Sequence, residues 1–136
     1  MIDNENVLID TSVWICFFGG KNPQITNAVQ ELLINDQVLI CPPVYQEILQ
    51  GIKYPIEFFE MKDKLNALKH IHSDSFEAAE GAAQIYSILK IKGVTIRKSY
   101  YCLIAWYAKT THTALFHLDK DFIPISEYFE LQFYSY

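Results

Sequence analysis

Four carboxylates stand at places where distant parts of this chain could bring them together. Asp10 ends the apolar run Val7-Leu8-Ile9 and is followed by the hydroxyl residues Thr11 and Ser12. Glu47 lies about one turn into the segment that follows Val38-Leu39-Ile40-Cys41 and Pro42-Pro43. Asp119 and Asp121 come directly after Ala114-Leu115-Phe116-His117-Leu118. Each acid therefore follows a short apolar run of the kind that forms a buried strand. In open α/β sheets, ligands sit in the crevice at the carboxyl ends of the strands. Carboxylates a few Å apart repel and lose hydration, so they meet stably only around a proton or a cation. Hard oxygen ligands without His or Cys suit Mg²⁺ or Mn²⁺. Such an ion orients water, lowers its pKa and stabilises charge on a phosphodiester under in-line attack. Taken singly, the acids also have an ordinary reading. Asp10 can cap a helix beginning near Ser12, and Asp119 or Asp121 can cap a short helix near Phe122.

The intervening chain has to position these groups. Val7 to Ile9 reads as a first strand, and Ser12 to Phe18 as a helix stopped by Gly19-Gly20. Ile25, Val29, Leu32 and Leu33 fall at helical spacing after Pro23. Val38 to Cys41 reads as a second strand, and the prolines after it suit the first turn of a helix over Val44 to Gln50. A further helix follows Pro55, and Leu68 to His72 reads as a short strand. Ser73 or Ser75 then caps a long helix from Phe76 to about Ile91, with Gly93 as its stop. The helix from Ser99 or Tyr100 to Lys109 is apolar nearly all round, which implies burial. Ala114 to Leu118 is another strand, and the tail from Leu131 to Tyr136 reads as a last edge strand. Strands alternating with helices mean an α/β fold: a single domain over residues 1–136, with a central, mainly parallel sheet of four to five strands flanked by helices.

Composition narrows the partners. The 136 residues carry a formal charge of −5, which argues against a general basic face for nucleic acid. A bound cation can still neutralise acids where a phosphate must approach. No apolar run reaches the ~20 residues a membrane span needs. The start, Met1 to Asn6, lacks the basic opening of a signal peptide, so a cytoplasmic location is expected. Cys16, Cys41 and Cys102 are odd in number and lack Cys-x-x-Cys spacing, which fits small buried residues better than a disulfide framework or a zinc site.

Four stretches then carry a resemblance. Leu8 to Trp14, Pro42 to Gly51, Gly93 to Ala105 and Leu118 to Phe122 are similar to the PIN domain, and more closely to the VapC-type ribonuclease toxins of bacterial toxin–antitoxin modules. The resemblance covers nearly the whole chain, in order. It implies an endoribonuclease dependent on Mg²⁺ or Mn²⁺, acting on RNA, usually dimeric, and held inactive by a cognate VapB-type antitoxin. By the same resemblance Asp10 is the first metal ligand, Glu47 the second acid, and Asp119 and Asp121 the last acidic motif, while Thr11 or Ser12 supports the ligand or water network.

The chain departs from the family at position 101, where Tyr101 precedes Cys102-Leu103-Ile104-Ala105 and family members usually carry a metal-binding aspartate. A neutral phenol, with a pKa near 10, is a poor ligand for Mg²⁺. The departure implies a nuclease impaired in this chain: a naturally degenerate protein, one with weak residual metal binding, or an altered copy of an active parent. The rival reading is a non-catalytic RNA- or partner-binding module of the same fold. A phospho-accepting receiver, with Asp74 after the third strand, ranks lower because Asp10 lacks an acidic neighbour. Arg97 and Lys98 are candidate contacts for RNA phosphate. His70 and His72 share one strand face, and His117 lies two residues before Asp119. Tyr100, Trp106 and the Tyr-rich tail could stack on unpaired bases, although Trp106 suits a core or dimer interface better.

Overall fold

The computed structural model describes residues 5–136. Residues 1–4, part of the start read for targeting, lie outside the described residues. Four short strands form one parallel sheet: β1 (Val7–Ile9), β2 (Val38–Ile40), β3 (Lys69–His70) and β4 (Ala114–Phe116), in the spatial order β3-β2-β1-β4. Among the described residues seven α-helices connect and flank it: α1 (Thr11–Gly19), α2 (Pro23–Ile34), α3 (Pro42–Gln50), α4 (Pro55–Asn66), α5 (Ser75–Ile91), α6 (Ser99–Thr110) and α7 (Ile123–Tyr128). The expected α/β architecture with a parallel sheet is what forms.

The strand order explains where a site can be. The chain builds outward from β1 through β2 to β3, then returns to place β4 on the other side of β1. The crevice between β1 and β4 is thus a topological switch point, the place where α/β sheets bind ligands. Asp10 follows β1 and Asp119 follows the β4 segment, so two of the four acids flank that crevice. Leu8, Ile9, Leu115 and Phe116 are fully buried. Burying each such side chain favours folding by about 1.5–3 kcal/mol, which holds these strand ends in register.

Several elements follow from local chemistry. Asn22 caps α2 by accepting from the Ile25 N–H at 3.2 Å, with Pro23 as first helical residue. Gly20 closes α1 with φ of 68°, a left-handed conformation that costs glycine little. The α5 and α6 helices pack closely because Gly81 has no side chain. A Cβ there would lie 2.0 Å from Trp106 Nε1, so the indole rests on the α5 backbone. Trp106 thereby belongs to an internal helix–helix contact.

The structure corrects other expectations. The cap of α5 is Asp74, between the two serines considered, and its side chain accepts from the N–H groups of Phe76 (2.9 Å) and Glu77 (3.1 Å). That use accounts for Asp74 without a receiver role. The tail is not a strand. It makes one parallel bridge, Leu115 with Phe133, through bonds to Gln132 O and from the Tyr134 N–H. Side chains seat it instead, with the Tyr134 and Tyr136 rings 5.0 and 4.8 Å from Phe116. The strand expected over Leu68 to His72 shortens to two exposed edge residues. The short helix expected near Phe122 is the 3₁₀ turn Lys120–Phe122, capped by Asp119, and it runs directly into α7, whose first turn holds Pro124.

Candidate active site

The local sequence of β1 and α1 places Asp10 with little freedom. Its backbone N–H donates to Phe116 O at 2.9 Å, and its carbonyl accepts from Val13 and Trp14 as α1 begins. Its carboxylate caps that helix, accepting from the Ser12 N–H (3.1 Å) and the Ser12 hydroxyl (2.6 Å) on Oδ2. Oδ1 accepts from the Tyr100 hydroxyl at 2.8 Å. Asp10 is 2% exposed. A buried carboxylate needs such donors, because desolvation otherwise disfavours its charge. The ordinary capping reading of Asp10 and the site reading are thus both satisfied by one geometry.

Thr11 and Ser12 act on this carboxylate from inside. Thr11 is buried, and its hydroxyl donates to the Tyr100 oxygen at 2.9 Å while Tyr100 donates to Asp10. Ser12 Oγ accepts from the Leu118 N–H at 3.0 Å, which ties the start of α1 to the β4 exit. Both residues therefore hold the frame of the acids.

Asp119 sits one residue past that tie. It caps the single 3₁₀ turn Lys120–Phe122, accepting from the Asp121 N–H at 3.1 Å on Oδ1. Its own N–H donates to His117 Nδ1 at 3.2 Å, and burial lowers the His117 pKa. That ring packs 4.3 Å from Phe133 and 5.1 Å from Phe122, so His117 supports the turn. Asp119 Oδ2 accepts from the Tyr101 hydroxyl at 2.5 Å. Asp121 is paired with the Arg97 guanidinium, whose hydrogen bond holds its carboxyl below the usual carboxylate range.

The first turn of α6 thus presents two phenols to two acids: Tyr100 to Asp10 and Tyr101 to Asp119. Consecutive residues on a helix point about 100° apart, so neighbours can reach different partners. Tyr101 is 6% exposed, and its ring stands edge-on to Tyr100 and Phe122, with centroids 5.5 and 5.1 Å away. Burial pushes both phenols well above their ordinary pKa, and the adjoining carboxylates add to this, so both keep their protons.

Glu47 lies half-buried on α3. Burial and then the charge of Asp10 raise its pKa, while Lys98 opposes them. Lys98 is exposed at the start of α6, and Arg97 beside it is paired with Asp121.

The chemistry of this donor set differs from that of a cation site. Among the described residues, no group of three or more His, Cys, Asp or Glu side chains is gathered so as to hold a metal ion. The oxygens that a cation would use accept instead from Ser12, Tyr100, Tyr101, the Asp121 N–H and Arg97. With Tyr101 in place, the residues present do not fit a resident Mg²⁺ or Mn²⁺. Asp10, Asp119 and Asp121 come to the same edge of the sheet, where phenol hydroxyls and a guanidinium donate to them. The Tyr100 and Tyr101 contacts are the part of the site that composition and spacing did not reveal. The usable signal was a tyrosine where the family resemblance expects an aspartate.

The chain is similar to known proteins in sequence and in fold. A sequence model of the PIN domain matches residues 7–127. The chain is 30% identical over 132 residues to the VapC ribonuclease Mb1587 of Mycobacterium bovis and to ribonuclease VapC11 of Mycobacterium tuberculosis, covering 96% of this chain and 98% of each of them. Its fold is similar to VapBC2 from Rickettsia felis, solved bound to a promoter DNA fragment (TM-score 0.74, 16% identity, 96% of this chain and 98% of that one). It is likewise similar to VapBC-1 of nontypeable Haemophilus influenzae (TM-score 0.75, 19% identity, 94% and 96%). With the sheet, the acids at its switch point and the matched sequence in agreement, the chain belongs to the PIN domain family.

Proposed function

We propose that this protein is the toxin member of a type II toxin–antitoxin module, an endoribonuclease by lineage whose cleavage is impaired in this chain by Tyr101. Its partner is a VapB-type antitoxin, its substrate class is RNA, its working form a homodimer and its location the cytoplasm. The relatives named as VapC ribonucleases support the lineage. The observation that carries the impairment is the Tyr101 hydroxyl on Asp119 Oδ2. A buried phenol there supplies a proton where the family's chemistry needs negative charge, and its ring fills space beside Phe122. Asp10, Glu47, Asp119 and Asp121 become a donor set for Mg²⁺ or Mn²⁺ once Tyr101→Asp removes the phenol and adds a carboxylate.

Cleavage of diverse RNAs with Mg²⁺ or Mn²⁺ tests the reading. The unaltered chain is expected to be silent, the Tyr101→Asp chain to cut, and Asp10→Asn in that background to abolish cutting. Cutting by the unaltered chain, stopped by EDTA, removes the impairment. Silence of the folded Tyr101→Asp chain favours the second reading, a non-catalytic binding module, for which the same two phenol–carboxylate bonds speak.

A further inference from the structure

We infer that a cleft beside the acids is a seat for one unpaired RNA base. The inference rests on the proposed ribonuclease lineage and names where that reading's substrate is held. The cleft, of about 290 Å³, lies where β2 runs into α3 and opens toward β3. That is close to the ~300 Å³ at which small-molecule sites begin. Its walls carry three rings. Tyr45 and His70 meet edge to face with centroids 5.9 Å apart, and His72 lies 6.1 Å from His70. Both histidines are exposed and Tyr45 is half-buried, so ring surface faces the cleft and solvent together. Bases stack on such faces regardless of sequence. Asn66 is also in the wall, 3.4 Å from the Tyr45 hydroxyl, and its amide offers the donor and acceptor that a base edge can read.

The surroundings favour a neutral plane over a phosphate. Pro42 and Pro43 have no N–H, and the Tyr45 N–H donates to Cys41 O at 3.0 Å. The start of α3 therefore offers an anion few of its usual backbone donors. Among the described residues, no carboxylate lines the cleft, unlike the acidic centre nearby. The two are neighbours: Cys41 lines the cleft and follows β2 as Asp10 follows β1, the parallel strand beside it, with Leu8 paired to Leu39.

The test is fluorescence anisotropy of labelled single-stranded RNA homopolymers of adenosine, uridine and cytidine, using the unaltered chain and the Tyr101→Asp chain. Tyr45→Ala and His70→Ala are expected to weaken binding by about 5- to 150-fold, the range set by loss of one base–aromatic stack. His70→Phe keeps the affinity, and Asn66→Ala shifts the order of preference among the oligomers. Phe76→Ala, on the exposed surface of α5, changes nothing. Because His70 is exposed, its variants report even if Tyr45→Ala fails to fold. Unchanged affinity in the His70→Ala and Asn66→Ala chains, while Tyr101→Asp still cuts RNA, overturns the base seat and leaves the nuclease reading standing. Absence of both binding and Tyr101→Asp cleavage overturns the two together. Free AMP or UMP competing as tightly as the oligomers assigns the cleft to a mononucleotide and overturns the RNA seat.

Discussion

At the scale of single residues, the acids are stabilised by hydroxyl groups. Tyr101→Phe keeps the ring on Phe122 and removes only the proton given to Asp119. It should cost about 1 kcal/mol in denaturant unfolding, the usual net value of one hydrogen bond, and should not restore cleavage. Tyr100→Phe should cost more, about 1–3 kcal/mol, because Asp10 is buried and loses a donor it cannot replace with water. The phenols also set an alkaline limit. Each holds its proton above the ordinary tyrosine value, so at these two phenols folded and unfolded chains bind the same protons until the pH nears about 10. Above that pH the unfolded chain releases them first, and stability falls as pH rises. Denaturation midpoints from pH 9 to 11 should show this fall, and the Tyr100→Phe/Tyr101→Phe chain should show a shallower one; equal slopes would contradict the account. Asp10, Glu47 and the two late aspartates were legible in the sequence because each follows an apolar run. Their partners were not, because hydrogen bonds between residues 18 and 90 positions apart, from Tyr101 to Asp119 and from Tyr100 to Asp10, leave no periodic trace.

At the scale of elements, the helix and strand pattern was read where apolar spacing or a glycine stop marked it. α1, α2, α3 and α6 end within a residue or two of their expected limits. The failures came where a tertiary contact outweighs local pattern or where neighbouring residues compete for one cap. The tail alternates like a strand, yet aromatic contacts to Phe116 hold it with a single bridge. The α5 cap went to Asp74, whose side chain reaches two N–H groups. Asp74→Ala should therefore lower stability by about 1 kcal/mol without altering RNA binding, as checked by urea unfolding and anisotropy. Gly81 is a second test. Alanine favours a helix interior by about 1 kcal/mol, but its Cβ would occupy the place of the Trp106 indole. Gly81→Ala should destabilise by ~1–3 kcal/mol, and Trp106→Leu in the same chain should recover part of the loss, because the clash is with that ring.

At the scale of the whole molecule, the parallel order β3-β2-β1-β4 creates one switch point, and the chain delivers acids to it from β1 and β4 and adds Glu47 from α3. Among the described residues, no helix is long and apolar enough to cross a membrane. The net charge of −5 repels RNA phosphate unless something positive intervenes. Positive groups near the acids include Arg97, paired with Asp121, Lys98, and Lys120 between the two late aspartates. The central claim is that phenol protons and a guanidinium occupy the role a divalent ion has in the family. Titration of Mn²⁺ into the protein, followed by the electron paramagnetic resonance signal of the free ion, tests it most directly. The account predicts an undiminished signal with the unaltered chain and a loss of signal with Tyr101→Asp, reversed by adding Asp10→Asn. Sequestration of Mn²⁺ by the unaltered chain, abolished by Asp10→Asn, would contradict it.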